Sequence, residues 1–160
     1  MKLSLVVALA CLASATATHA APSFAGAWSQ PWCGGEQRNT PCGEFSLYLV
    51  QDGTRICGNH FAATPGGGRL NEGSANSVVG TVIGTGAVLA ITSGRTNVTF
   101  LAKVQRSGNS LMWRLVEQVT PGEQPEPPLI SVAARLEPKA AKEVLAQVAH
   151  ECMEHFKNAP

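Results

Sequence analysis

The sequence has few charged and few aromatic residues for its length. Charged residues make up 14% of the 160 positions and aromatic residues 6%. The 12 lysines and arginines nearly balance the 11 aspartates and glutamates, and no run of basic residues occurs. Binding to nucleic acid or to an anionic membrane by electrostatics needs a basic cluster. The composition therefore gives those two classes no support, and no nucleic-acid partner is predicted.

A long apolar stretch is also missing. The apolar run over residues 3–13 is shorter than the ~20 residues that span a bilayer, so no membrane-spanning helix is predicted. The run follows a lysine and gives way to small residues before Ala20, which is typical of an export signal. Residues 1–20 are predicted to be a signal peptide, and the protein is expected to be periplasmic or secreted. A lipoprotein with Cys11 at the modified position is the alternative.

Catalytic and metal-binding motifs are absent from the sequence. It has no Gly-x-Ser-x-Gly of a serine hydrolase and no His-Glu-x-x-His of a zinc protease. The glycine-rich residues 65–68 lack the Gly-Lys-Ser/Thr ending of a phosphate-binding loop. In the run 150–155, only His150 and Glu154 share a helix face, which is too few ligands for a structural zinc site. No cofactor and no metal site is predicted.

Four cysteines follow the predicted signal peptide. An even number in an exported chain favours disulfides, although four cysteines allow three pairings. We predict Cys33–Cys42, which closes a loop of little apolar content, and Cys57–Cys152, which ties the end of the chain to an early strand. Zinc is the alternative, but Cys33 and Cys42 are too far apart in sequence for the usual spacing of zinc ligands.

The chain after residue 20 alternates short apolar runs with glycine-containing turns. These turns lie at residues 52–53, 65–68, 84–86, 93–95 and 107–109. The segments between them show the period-two alternation of strands, most cleanly at 96–105 and 110–118. We predict a mainly β fold, an antiparallel meander of about eight to nine strands that forms a small barrel. Asp52-Gly53 is predicted to form a type I′ hairpin turn.

A single helix is predicted after the meander. Residues 120–128 are rich in proline and predict an extended surface connection, and 129–136 are predicted to form the closing strand. Apolar residues then recur at helical spacing over 137–157, with Pro138 at the first helical position. Cys152 lies on the apolar face of this helix, so we expect the helix to pack outside the barrel. Residues 21–160 are therefore predicted to be one domain.

The tripeptide Gly26-Ala27-Trp28 opens the first predicted strand. A Gly-x-Trp at this place in a secreted all-β chain resembles the calycin superfamily of lipocalins and avidins. The resemblance covers this tripeptide and the strand count. It implies that Trp28 closes one end of the barrel and that a basic residue from a late strand packs across it, with Arg114 as the candidate.

Recognition is the predicted kind of function. Aromatic side chains and hydrogen-bond donors at strand ends or in loops are typical of binding surfaces. The candidate residues are Trp28, Trp32, His60, Arg69 and Arg95. We predict a non-covalent binding protein, acting either on a protein, as an inhibitor or immunity-type protein, or on a small apolar ligand held in the barrel. A cell-envelope hydrolase is the alternative.

Each candidate residue also has a purely structural explanation. Trp28 can be an ordinary core aromatic, and Arg69 and Arg95 can be solvated turn residues. His60 either lines a cavity or lies on the solvent face of its strand. No Cys, Asp or Glu accompanies it at the spacing of metal ligands, which favours the solvent face.

Overall fold

A computed structural model describes residues 22–33, 40–120 and 129–158. In these ranges the chain forms nine strands and one α-helix. The strands are β1 (Gly26–Trp32), β2 (Gly43–Asp52), β3 (Arg55–Ala63), β4 (Leu70–Glu72), β5 (Val78–Ile83), β6 (Gly86–Thr92), β7 (Thr99–Ser107), β8 (Ser110–Gln118) and β9 (Ala133–Pro138), and the helix is α1 (Lys142–Asn158). The predicted signal peptide (1–20) and nearly all of the predicted proline-rich connection lie outside the described residues.

Eight of the nine described strands close into an antiparallel barrel. Their order is β2-β1-β9-β8-β7-β6-β5-β3, and pairing of β2 with β3 completes the ring. The short strand β4 lies outside the ring and pairs with the end of β3 beyond the point where β5 stops. The prediction of a mainly β fold, a small antiparallel barrel with a helix outside it, is confirmed.

Three hairpins at one end of the barrel have the same kind of two-residue turn. Gly53, Gly84 and Gly108 occupy the first turn position, with φ of +59°, +60° and +59°. The residue after each glycine does not have positive φ. This is the pattern of a type II′ turn, so the prediction of a type I′ turn is wrong. A type I′ turn would need positive φ at Thr54, which a β-branched residue rarely adopts.

Large apolar side chains occupy the barrel interior. Successive residues of a strand point to opposite faces, and Phe45, Leu47 and Leu49 of β2 all point inward and are at most 1% exposed. The ring of Phe45 packs against that of Trp113 on β8, with centroids 5.3 Å apart. These residues belong to one continuous cluster to which every strand of the barrel contributes. An eight-stranded barrel is just wide enough for side chains to fill it.

Helix α1 lies against the outer face of β2 and β3. Its residues Val148 and Cys152 are buried together with Cys57 of β3. Near its end, the guanidinium of Arg55 stacks 5.2 Å from the ring centroid of Phe156 and donates to the Phe156 carbonyl oxygen at 2.8 Å. The apolar face predicted for this helix is therefore the face that contacts the barrel.

Both predicted disulfides are present. Cys33 is bonded to Cys42, and Cys57 is bonded to Cys152 across the interface between β3 and α1. Two disulfides in so small a protein fit an oxidising compartment. Within the described ranges, no helix combines the length and the apolar character that crossing a membrane requires.

Two predicted boundaries near the end of the chain are wrong. Strand β9 starts at Ala133 instead of residue 129, and α1 starts at Lys142 instead of residue 137. Pro138 is the last residue of β9, opposite Trp28 of β1. A proline suits the end of a strand as well as the first turn of a helix, so its presence could not distinguish the two.

Candidate functional site

One end of the barrel is closed by Trp28 and by the segment before β1. Trp28 is 5% exposed, and its Nε1 donates to the carbonyl oxygen of Phe24 at 3.0 Å. The guanidinium of Arg106, from β7, lies over the indole ring at 4.6 Å from its centroid. This is a cation–π contact that also shields the aromatic face from water.

The basic residue over Trp28 is therefore not Arg114, and that prediction is wrong. Arg114 lies opposite Lys103 in the β7–β8 register and is exposed on the outer face of the barrel. The sequence did contain a signal for Arg106. It continues the alternate-residue series of Phe100, Ala102 and Val104, whose members point inward and are buried.

The opposite end of the barrel is covered by β4 and by the loop over residues 93–98. Asn71 of β4 is fully buried, and its Oδ1 accepts hydrogen bonds from Ser93 Oγ at 3.4 Å and from the Gly94 backbone nitrogen at 3.0 Å. Arg95 Nη1 donates to the Leu70 carbonyl oxygen at 2.9 Å. A side chain at position 94 would overlap the Glu72 carbonyl oxygen, so the close approach of loop and strand requires glycine.

Most of the predicted site residues lie at this end. We define the β4 end as Trp32, residues 64–72 and residues 93–98. Trp32, Arg69 and Arg95 belong to it, and His60 lies beside it inside the barrel. Trp32 is half-buried, with its Nε1 donating to the Ala63 carbonyl oxygen at 2.5 Å. Trp28 is the exception, because it closes the other end.

A groove of about 560 Å³ runs along the β4 end. Its apolar lining comes from three elements and includes Pro31, Phe61 and Leu70. Leu70 is 43% exposed, and the side chain of its neighbour Arg69 is also exposed. Exposed apolar surface beside a basic side chain is the composition of a protein-binding surface more than of a solvated loop.

His60 is buried, so the prediction that it lies on the solvent face is wrong. It is 2% exposed and points inward from β3, and its Nδ1 lies 3.0 Å from Ser77 Oγ. Its Nε2 has no hydrogen-bond partner among the described residues. Burial lowers the pKa of His60 to about 4, and the nearby Asn71 amide offsets only part of this shift.

The contact between Ser77 and His60 resembles the start of a catalytic arrangement, in which a histidine activates a hydroxyl. Substrate cannot reach it as the protein stands, because Ser77 is 5% exposed and His60 2%. A histidine with a pKa of about 4 is also a weak base at neutral pH. The Ser77 hydroxyl additionally accepts from the His60 backbone nitrogen at 3.3 Å, so the contact ties the start of β5 to β3.

Acid unfolding tests the environment of His60. In the folded protein the imidazole stays neutral down to about pH 4, whereas in the unfolded chain it binds a proton near the ordinary pKa of 6.5. The unfolded state therefore holds more protons between these two values, and stability falls as the pH drops through this window. We expect the free energy of unfolding to have its full value above about pH 6.5. It should decrease by up to roughly 3 kcal/mol as the pH falls to about 4. Urea denaturation at several pH values measures this.

The matched control is His60→Asn, which keeps a polar group near Ser77 but cannot titrate. Between about pH 6.5 and about pH 4, its free energy of unfolding should decrease less than that of the unmodified protein, and the difference should equal the contribution expected from His60. Glu44 titrates in both proteins and cancels in the comparison; burial raises its pKa, but the Lys139 ammonium and hydrogen bonds from serine hydroxyls together lower it by more. Equal pH dependence in the two proteins would contradict the buried, neutral state of His60.

Comparison of the chain with protein-family models, with curated proteins and with solved structures finds no match in any of the three. The function is therefore inferred from the barrel and from the side chains described above.

Proposed function

We propose that this protein is an exported binding protein that recognises another protein with its outer surface. The observation that carries the proposal is the occupied interior. The cluster around Phe45, Leu47 and Trp113 occupies the space where a lipocalin-like carrier would hold its ligand. A small-molecule site inside the barrel would need a cavity of roughly 300 Å³ or more in the space that these side chains fill, so recognition on the outside is the better-supported form of binding.

Both ends of the barrel support the same conclusion. Trp28 and Arg106 cover one end, and Asn71 with the loop over residues 93–98 covers the other. The stack of Arg106 on Trp28 also favours a calycin-like barrel, because the resemblance implies a late-strand basic residue at this place. We propose a calycin-like barrel whose interior is filled by its own side chains.

The β4 end is the surface we propose for recognition. It combines the exposed side chains of Arg69 and Leu70 with the apolar groove beside them. Cys42 lines the groove, so the Cys33–Cys42 bond restrains its rim. A restrained surface loses less conformational entropy on binding, which suits an inhibitor or immunity-type protein.

Affinity capture from an envelope or culture extract of the source organism tests this function. The unmodified protein should retain one dominant protein, and the double variant Arg69→Glu, Leu70→Ser should lose it by about tenfold or more. The double variant Lys142→Glu, Val144→Ser on the exposed face of α1 is the matched control, since it makes the same kinds of change elsewhere. It should retain the partner.

Three outcomes would count against the proposal. Capture of no dominant protein would contradict the binding function, and equal capture by the β4-end variant would contradict the assigned surface. Saturable binding of one equivalent of an apolar fluorescent dye, blocked by an enlarged interior side chain, would favour a ligand carrier instead.

A further inference from the structure

A second surface lies on the barrel wall that α1 leaves open. The helix packs on β2 and β3, whereas outward side chains in the middle of β7 and β8, such as Lys103, Gln105 and Met112, are exposed. Two of these side chains, Lys103 and Arg114, lie directly opposite each other in the register of the two strands. Residues paired in this way have Cβ atoms about 4.5–5.5 Å apart.

The Lys103–Arg114 pair weakens the sheet. Like charges directly opposite each other on neighbouring strands repel and are destabilising. Neither residue takes part in the ion pairs that the described residues form, and the carboxylate of Glu117, opposite Leu101 on the same two strands, makes no ion pair with either. The repulsion between Lys103 and Arg114 lowers stability, and no ion pair among the described residues offsets it. This indicates that the two cations serve to bind a partner.

Apolar side chains flank the two cations. Met112 and Val116, the outward neighbours of Arg114 on β8, are 42% and 51% exposed. On the other side, Ile83 is 62% exposed and lines a groove of about 340 Å³ together with Val88 and Lys103. Single exposed apolar residues are ordinary, but here they flank an uncompensated pair of charges on both sides.

We propose that this β7–β8 face docks an acidic segment of a partner protein. The face consists of Ile83, Val88, Lys103, Met112, Arg114 and Val116. A carboxylate between Lys103 and Arg114 removes their repulsion and makes charge-assisted hydrogen bonds with both. Apolar side chains of the partner segment, next to that carboxylate, cover Ile83, Met112 and Val116.

The chemistry of the face favours such a peptide over nucleic acid. Proteins that bind nucleic acid by its phosphates neutralise many of them with a row of lysines and arginines. This face offers two neighbouring cations beside apolar side chains, and Arg135, opposite Met112, is held in an ion pair with Glu137. The face shares no residue with the β4 end. A partner protein can therefore contact the β4 end, the β7–β8 face or both. The two proposals are tested by different variants.

Titration of the isotope-labelled protein with a synthetic peptide of alternating glutamate and leucine tests the proposal by amide NMR. We expect saturable shifts at the amides of β6, β7 and β8. The same peptide with glutamine in place of glutamate should bind about tenfold more weakly or worse, because the charge attraction is lost. Lys142→Glu, an exposed change on α1, should leave the affinity for the glutamate peptide unchanged.

The variant Arg114→Glu separates binding from folding. It places opposite charges across the strands, so the melting temperature should rise by about 1–3 °C, while affinity for the peptide falls by about tenfold or more. A fall in melting temperature would overturn the argument from repulsion. Absence of saturable shifts at these amides, equal binding of the glutamine peptide, or tighter binding of a DNA duplex or of anionic vesicles would overturn the proposal.

Discussion

Replacing Cys57 and Cys152 together by alanine is expected to lower the free energy of unfolding by about 4.7 kcal/mol. The bond joins residues 95 apart in the sequence, so its removal frees a long loop in the unfolded chain. Urea denaturation with linear extrapolation measures the change. For a domain of this size, whose whole stability is about 5–15 kcal/mol, such a loss is between about a third and nearly all of the stability.

The Cys33→Ala, Cys42→Ala variant is the matched control. That bond joins residues 9 apart in the sequence, and the same chain-entropy argument predicts a loss of about 2.7 kcal/mol. Amide hydrogen exchange adds a local test, since the backbone of α1 should lose protection in the first variant and keep it in the second. Equal losses in both variants would contradict the proposed role of the long bond.

Replacing Trp113 by alanine is expected to cost about 3–5 kcal/mol of stability. The side chain is 2% exposed and packs on Phe45, and its Nε1 donates to the Ser131 carbonyl oxygen at 2.7 Å. The change therefore creates a cavity in the centre of the barrel and leaves the partly buried Ser131 carbonyl oxygen without its donor. Thermal or urea unfolding measures the loss.

Met112→Ala is the control for this experiment, because Met112 is the preceding residue of β8 and is 42% exposed on the outer face. It should change the stability by about 0.5 kcal/mol or less. If Trp113→Ala cost no more than Met112→Ala, the interior would be loosely packed. The proposal that recognition takes place on the outer surface would then lose its main support.

Much of the fold could be predicted from local patterns in the sequence. Alternation with period two identified β2, β3, β7 and β8, because it reflects which face of a strand is buried and depends only on near neighbours. A high content of β-branched residues identified β5 and β6. Glycine in the turns marked where the hairpins reverse. The apolar face of the last helix carried Cys152, and this led to the correct pairing with Cys57.

The remaining features of the fold and of the candidate site depend on pairing between strands that are distant in the sequence. The sequence could not show that Arg106 contacts Trp28 while Arg114 lies beside Lys103, since both facts depend on strand register. Nor could it show that β4 covers one end of the barrel and buries His60 beneath it, although the alternation of β3 had placed His60 on the same face as Ile56.

The physical reason is the range of the interactions involved. Local periodicity and turn chemistry are properties of residues adjacent in the chain, and they were enough to predict a disulfide-bonded β-barrel with one helix outside it. The closed ring, the occupied interior and the facing cations Lys103 and Arg114 arise only when distant strands pair. Both surfaces proposed for recognition are products of that pairing, and so only the tertiary structure revealed them.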